Sequence, residues 1–122
     1  MEYPISEILD RYSIALLKKE RLAIDNGQEI KDLSTEIDNY RNINQIVDEY
    51  IVKLKDINGK IWDLEFDIRK GKEGELGLEE VGRRAILIRE NNKIRVGYKN
   101  EIVEIFNVGY KDIKMNHVSS NG

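Results

Sequence analysis

The chain contains no cysteine, which excludes disulfides and thiolate chemistry and leaves the redox compartment unreported. Its one histidine, His117, sits in a C-terminal run ending HVSSNG that is expected to be flexible. That placement argues against a histidine acid–base pair or triad, and with cysteine absent there is no ligand set for zinc. Neither GxxxxGK[ST] nor GxGxxG occurs, and GKEGELG is a charged loop rather than a phosphate cradle. No stretch approaches the roughly 18 apolar residues of a membrane span. The opening MEYPISEILDRYS lacks a basic region followed by an apolar run, so no signal peptide is expected and a cytoplasmic location is. Basic excess is missing too. A net charge of -3 and a pI near 5.3 argue against general nucleic-acid binding.

What is present is a dense mixture of charged and aliphatic residues. Of 122 residues, 35% are charged and 40% hydrophobic, enough for one domain with a modest core. High charge, few aromatics and a single proline are the composition of helical bundles. We expect one helical domain over residues 1–108 and a tail over 109–122. Pro4 and Ser6 precede the first helix, with Ser6 the candidate N-cap. Ile5, Ile8, Leu9, Tyr12, Ala15 and Leu16 give it an apolar face, to about Ile24. The turn DNGQ (25–28) leads to a second helix carrying Ile30, Leu33, Ile37 and Tyr40. RNIN (41–44) reads as a short connection, although one longer helix can be threaded through it.

The third helix has the clearest period, with Tyr50, Leu54, Ile57, Ile61, Leu64 and Ile68 at steps of four and three. RKGKEGELG (69–77) is a loop. Residues 78–106 read two ways. Leu78, Val81, Ala85 and Ile88, then Ile102, Val103 and Phe106, share helical faces. AILI and IRVGY flanking RENNK also give a β-hairpin signal, strengthened by Gly82 and Gly97. The fold expected is all-α, about four helices with long helical hairpins; the alternative is α+β with a C-terminal β-hairpin over 84–106.

Two sets of polar residues interrupt these patterns. At roughly 100° per residue, Asn58 and Glu65 fall at the border of the third helix's apolar face, with Trp62 and Arg69 further round. They are either a salt-bridged border or one wall of a binding site. On the fourth long segment, if helical, Asn92, Arg95 and Lys99 lie on the apolar face itself, with Arg84 at its edge. Two cations four residues apart repel each other, and left buried without partners each would cost several kcal/mol. Glu65, water in an open cavity or an anionic ligand could compensate them. On the first helix, Glu7, Arg11, Ile14, Lys18 and Arg21 form a line mostly opposite the apolar face. A solvated side with a Glu7–Arg11 pair is the plainer reading of that line.

The stretches EILDRYSIALLKKERL, INGKIWDLEFDIRKG and IRENNKIRVGYKNEI occur in this order over roughly residues 6–103. Together they resemble an uncharacterised family of small helical proteins of bacteria and phages, with N-x-x-x-W-x-x-E-x-x-x-R the most specific block. The resemblance implies an all-helical fold, which tips residues 78–106 to helix. It also implies a set of matching positions: Asp10, Arg11, Lys18, Glu20, Arg21, Asn58, Trp62, Glu65, Arg69, Asn92, Arg95 and Lys99. It implies no particular chemistry.

The functional expectation is non-catalytic binding of a small anionic ligand, a nucleotide or phosphorylated metabolite first. No metal or other cofactor and no membrane are expected to take part. Arg95, Lys99 and Arg69 would pair the anion. Trp62 would stack on a ring, Asn58 and Asn92 would read polar edges, and Glu65 would orient the arginines. Arg84, Arg11 and Lys18 complete the candidate set. Self-association into a homo-oligomer is expected, and a phage-borne gene would suggest sequestration of a host immune nucleotide signal. One alternative is an oligomeric structural module in which buried polar residues fix helix register. Another is a magnesium-dependent nucleotide phosphohydrolase, for which Glu79-Glu80 and Glu7-x-x-Asp10 supply only part of the acidic pattern. On the ligand reading, Arg95→Ala or Lys99→Ala should relieve repulsion, leaving the ligand-free protein as stable or more so while abolishing anion-induced stabilisation. On the structural reading, both should destabilise and change oligomer size.

Overall fold

A computed structural model describes residues 3–69 and 73–106, with the side chains of Arg69 and Glu73 outside that description. Every regular element among these residues is helical: α1 (Ile5–Leu22), α2 (Gly27–Arg41), α3 (Ile46–Arg69), the single turn α4 (Glu73–Leu76) and α5 (Leu78–Ile105). Four long helices form the bundle. The β-hairpin alternative over 84–106 is overturned, because α5 runs unbroken for 28 residues through Gly82 and Gly97. Two helical glycines cost about 1 kcal/mol each relative to alanine, less than a helix of this length gains by packing. The expected tail over 109–122 lies outside the described residues.

Several boundaries differ from expectation. Pro4, not Ser6, occupies the N-cap of α1, and its carbonyl accepts from the amides of Glu7 and Ile8 at 2.9 and 3.1 Å. Ser6 is helical and buried. Helix α1 stops at Leu22 rather than Ile24, where Ala23 turns into the left-handed region at φ 53°. Gly27 and Gln28 already belong to α2. Helices α2 and α3 are separate, and Asn44 Oδ1 caps the gap by accepting from the Ile46 amide at 3.0 Å.

Side-chain pairings give the helix directions. Asp10 meets Asn58 and Arg21 meets Asp63, so α1 and α3 ascend together. Arg95 meets Asp10 and Lys99 meets Glu7, so α5 descends against them. The core lies at one end of the bundle. Ile5, Ile8 and Leu9 of α1 pack there with Ile37 of α2, Val47, Tyr50, Ile51 and Leu54 of α3, and Ile102 and Phe106 around α5. Tyr40 meets Phe106 edge-on at 5.6 Å, and Tyr50 Oη donates to Glu101 at 2.7 Å.

Toward the other end, α3 continues beyond α1 with α5 beside it, α4 packs on α5, and burial falls away. Leu78 is 91% exposed, Ile86 54% and Val96 52%, and Ala85 is exposed as well. The expected face of Leu78, Val81, Ala85 and Ile88 therefore holds only in part, since Val81 and Ile88 alone are half-buried. The inward line of α5 runs instead through Val81, Arg84, Ile88, Asn92, Arg95, Lys99, Ile102 and Phe106. Among the described residues no helix is long and apolar enough to cross a membrane.

Candidate functional site

Helix α1 is buried on two faces. Its aliphatic line meets the core, while Ser6, Asp10, Ser13 and Leu17, at steps of four, three and four, form a second buried strip. That strip carries a carboxylate into the junction of α1, α3 and α5. Asp10 is 2% exposed and Asn58 of α3 is 6% exposed. Asn58 Nδ2 donates to Asp10 Oδ1 at 2.9 Å and to Ser13 Oγ at 3.0 Å, and Ser13 Oγ donates to the Asp10 carbonyl at 2.7 Å.

Arg95 of α5 closes this network. Its Nε donates to Asp10 Oδ1 at 3.1 Å and its Nη2 to Oδ2 at 2.5 Å, a two-armed grip on one carboxylate. Its Nη1 reaches Asn92 Oδ1 at 3.5 Å, a long contact. One turn on, Lys99 Nζ lies 2.7 Å from Glu7 and 3.9 Å from Asp10. Burial pushes the Asp10 carboxyl upward, but hydrogen bonds from Arg95 and Asn58 and the charges of Arg95 and Lys99 outweigh it, leaving a net lowering. The Arg95 guanidinium is held more strongly protonated, first by its bond to Asp10, against desolvation and with help from Glu7 and Glu65.

Beside this network a cavity of about 560 Å³ opens between α1 and α3, within the usual range for small-molecule sites. Ile14, Leu17 and Leu22 of α1 and Ile61, Trp62 and Phe66 of α3 form its apolar wall. Lys18, Asn58, Glu65 and Arg95 supply the polar groups. Lys18 forms no ion pair among the described residues.

Five of the expected residues thus meet at one cavity: Asn58, Trp62, Glu65, Arg95 and Lys18. Asn92 and Lys99 stand behind it in the polar network. Arg84 lies nearer the N-terminus of α5, where it donates to the Leu64 carbonyl at 3.3 Å and to Glu80 at 2.9 Å and sits 3.7 Å from Asp67. Arg11 is elsewhere, exposed, with its guanidinium 4.1 Å over the Tyr3 ring. The Arg69 side chain lies outside the described residues.

The expected pairings change accordingly. Glu7 pairs with Lys99 rather than Arg11, because α5 lies against that side of α1. Asp10 provides the principal compensation for Arg95, with Glu65 only a neighbouring charge. Repulsion between Arg95 and Lys99 is therefore screened by two carboxylates. Removing Arg95 would leave the buried Asp10 without its main partner, so the ligand reading's expectation of an equally stable Arg95→Ala is not kept. Glu7, 41% exposed at its side chain, stays solvated without Lys99. Asp10, a matching position of the resemblance and half of the Glu7-x-x-Asp10 pair, is absent from the expected ligand-binding set, and Ser13 from the expectations altogether, although the four-three-four spacing with Ser6 and Leu17 marks their strip. The acidic-metal pattern fares poorly: Arg83 and Arg84 bind Glu80 and hold its carboxyl down to about 2. Among the described residues no three His, Cys, Asp or Glu side chains are grouped to hold a metal.

No protein-family model, curated protein or solved structure matches the chain.

Proposed function

We propose that the protein binds a small anionic ligand in the α1–α3 cavity, without catalysis. The carrying observation is that Arg95 lines this cavity while Asp10, itself nearly inaccessible, fixes its guanidinium from behind. An arginine has five N–H donors. Asp10 takes two of Arg95's and Asn92 one, which leaves two for a ligand oxygen. A guanidinium already held in place loses little freedom on binding, the advantage of a preorganised site. Lys18 supplies a second cation, and Trp62 with the aliphatic wall suits a planar ring. Nucleotide-like and phosphorylated ring compounds meet these requirements.

The test is a thermal-shift and fluorescence titration of the full chain with nucleotides and phosphorylated metabolites. Trp62 is the only tryptophan and lines the cavity, so its emission reports occupancy. A ligand at 100 times its dissociation constant stabilises by about 2.7 kcal/mol. Absence of any shift across the panel contradicts the proposal.

A second reading, an oligomeric helical module, rests on the exposed side chains of α5. Leu78, Ile86 and Val96 are each more than half exposed, and Ile102 alone is buried along that helix. A second copy of the chain is the occupant this reading requires. The two readings are compatible, because this outer face of α5 is not part of the cavity wall.

A further inference from the structure

From the charge balance around the α1–α3 cavity we infer that its ligand carries a single negative charge together with a hydrogen-bond donor, rather than being a polyphosphate. This inference rests on the binding reading above. Two cations line the cavity, Lys18 and Arg95. Two carboxylates oppose them: Glu65 in the same wall, and Asp10 bonded directly to the back of Arg95. The adjoining Lys99–Glu7 pair is likewise balanced. The site is therefore polar but electrically even, unlike the basic pocket that the cations alone suggest.

A ligand with one anionic group can share Arg95 and Lys18 while its N–H or O–H donates to Glu65. A triphosphate would bring several charges against Glu65 and Asp10 in a half-enclosed site whose lining offers only Lys18 and Arg95 to offset them. The shared chemistry is a planar ring bearing a monoanion. A cyclic phosphodiester of a nucleoside and an aromatic carboxylate both satisfy it.

The experiment titrates the full chain at constant ionic strength, following Trp62 emission and melting temperature. The probes are adenosine, adenosine 3′,5′-cyclic phosphate, AMP, ATP and indole-3-acetate, each with wild type and Glu65→Gln. A monoanion should bind tightest, with AMP at least tenfold weaker than the cyclic phosphate and ATP weaker again. Tighter binding of indole-3-acetate than of the cyclic phosphate assigns the carboxylate source; the reverse assigns the phosphodiester. In Glu65→Gln the penalty on AMP and ATP relative to the monoanion should shrink about tenfold. ATP binding as tightly as the monoanions, or an unchanged penalty in Glu65→Gln, overturns the inference and leaves the binding reading standing. Binding of none of the five, and of none of the wider nucleotide and metabolite panel, overturns both.

Discussion

Arg95 and Asp10 lie 85 positions apart in the chain, yet the guanidinium of one grips both carboxylate oxygens of the other at 3.1 and 2.5 Å. The pair joins α5 to α1, and Asn58 brings α3 to the same carboxylate. It faces a cavity on one side and the Lys99–Glu7 pair on the other. Desolvating such charges offsets much of their attraction, so the pair is a weak source of net stability. Breaking it from one side is another matter.

Asp10→Asn leaves the guanidinium of Arg95 partly buried without its counter-charge. We expect a loss of about 2–4 kcal/mol, below the upper end for buried pairs because 28% of the Arg95 side chain reaches solvent. Urea denaturation should show a lower midpoint with an unchanged slope. Arg95→Met should also destabilise, and the double variant should lose less than the sum of the two, by about 1–3 kcal/mol. Additive losses would mean that the two side chains do not interact.

The same pair sets an acid response. Asp10 titrates below its ordinary range because its partners outweigh burial. Its contribution is therefore complete above the unfolded-state value of about 3.9 and is lost as pH falls through the lower folded value. Wild type should lose stability below about pH 4 more steeply than Asp10→Asn. Parallel stability curves for the two proteins in acid would contradict the assignment.

Helix α5 explains which parts of the fold and site were legible in the sequence. Helices α1 to α3 announced themselves through apolar residues at three-four spacing. Placing Asn92, Arg95 and Lys99 on the inward face of α5 was also correct. The sequence was ambiguous over 78–106 because Gly82, Gly97 and several β-branched residues favour strand locally, and long-range packing on α3 decides the matter. The role of Asp10 as the buried partner of Arg95 is not legible when α1 is given one buried face, whereas three neighbours bury two. A carboxylate beside two serines looks solvated until the third helix is in place.

Gly82 and Gly97 offer a direct check on α5. An added Cβ at either position meets nothing within 4 Å, so alanine should fit without a clash. Gly82→Ala and Gly97→Ala should each stabilise by about 0.5–1 kcal/mol and raise helical circular dichroism. Destabilisation by both would contradict a continuous helix.

The outer face of α5 makes a separate prediction. A second copy covering Ile86 and Val96 should give a mass above that of the single chain by light scattering. Ile86→Glu should return the protein to the single-chain mass and leave ligand binding unchanged, because Ile86 is 54% exposed and does not line the cavity. A single-chain mass for wild type at high protein concentration would remove the oligomeric reading.

The central claim, that the α1–α3 cavity holds a small anion between Lys18 and Arg95, is tested most directly by titrating Trp62 emission and melting temperature together in wild type and Lys18→Gln. Lys18 is the variant of choice because it lines the cavity without belonging to the Asp10 network. The account predicts saturable quenching and, at 100 times the dissociation constant, a rise of roughly 10 °C for at least one ring-bearing anion, with affinity at least tenfold weaker in Lys18→Gln. No saturable response across the nucleotide, phosphorylated-metabolite and aromatic-carboxylate panel, or equal affinity in both proteins, would contradict it.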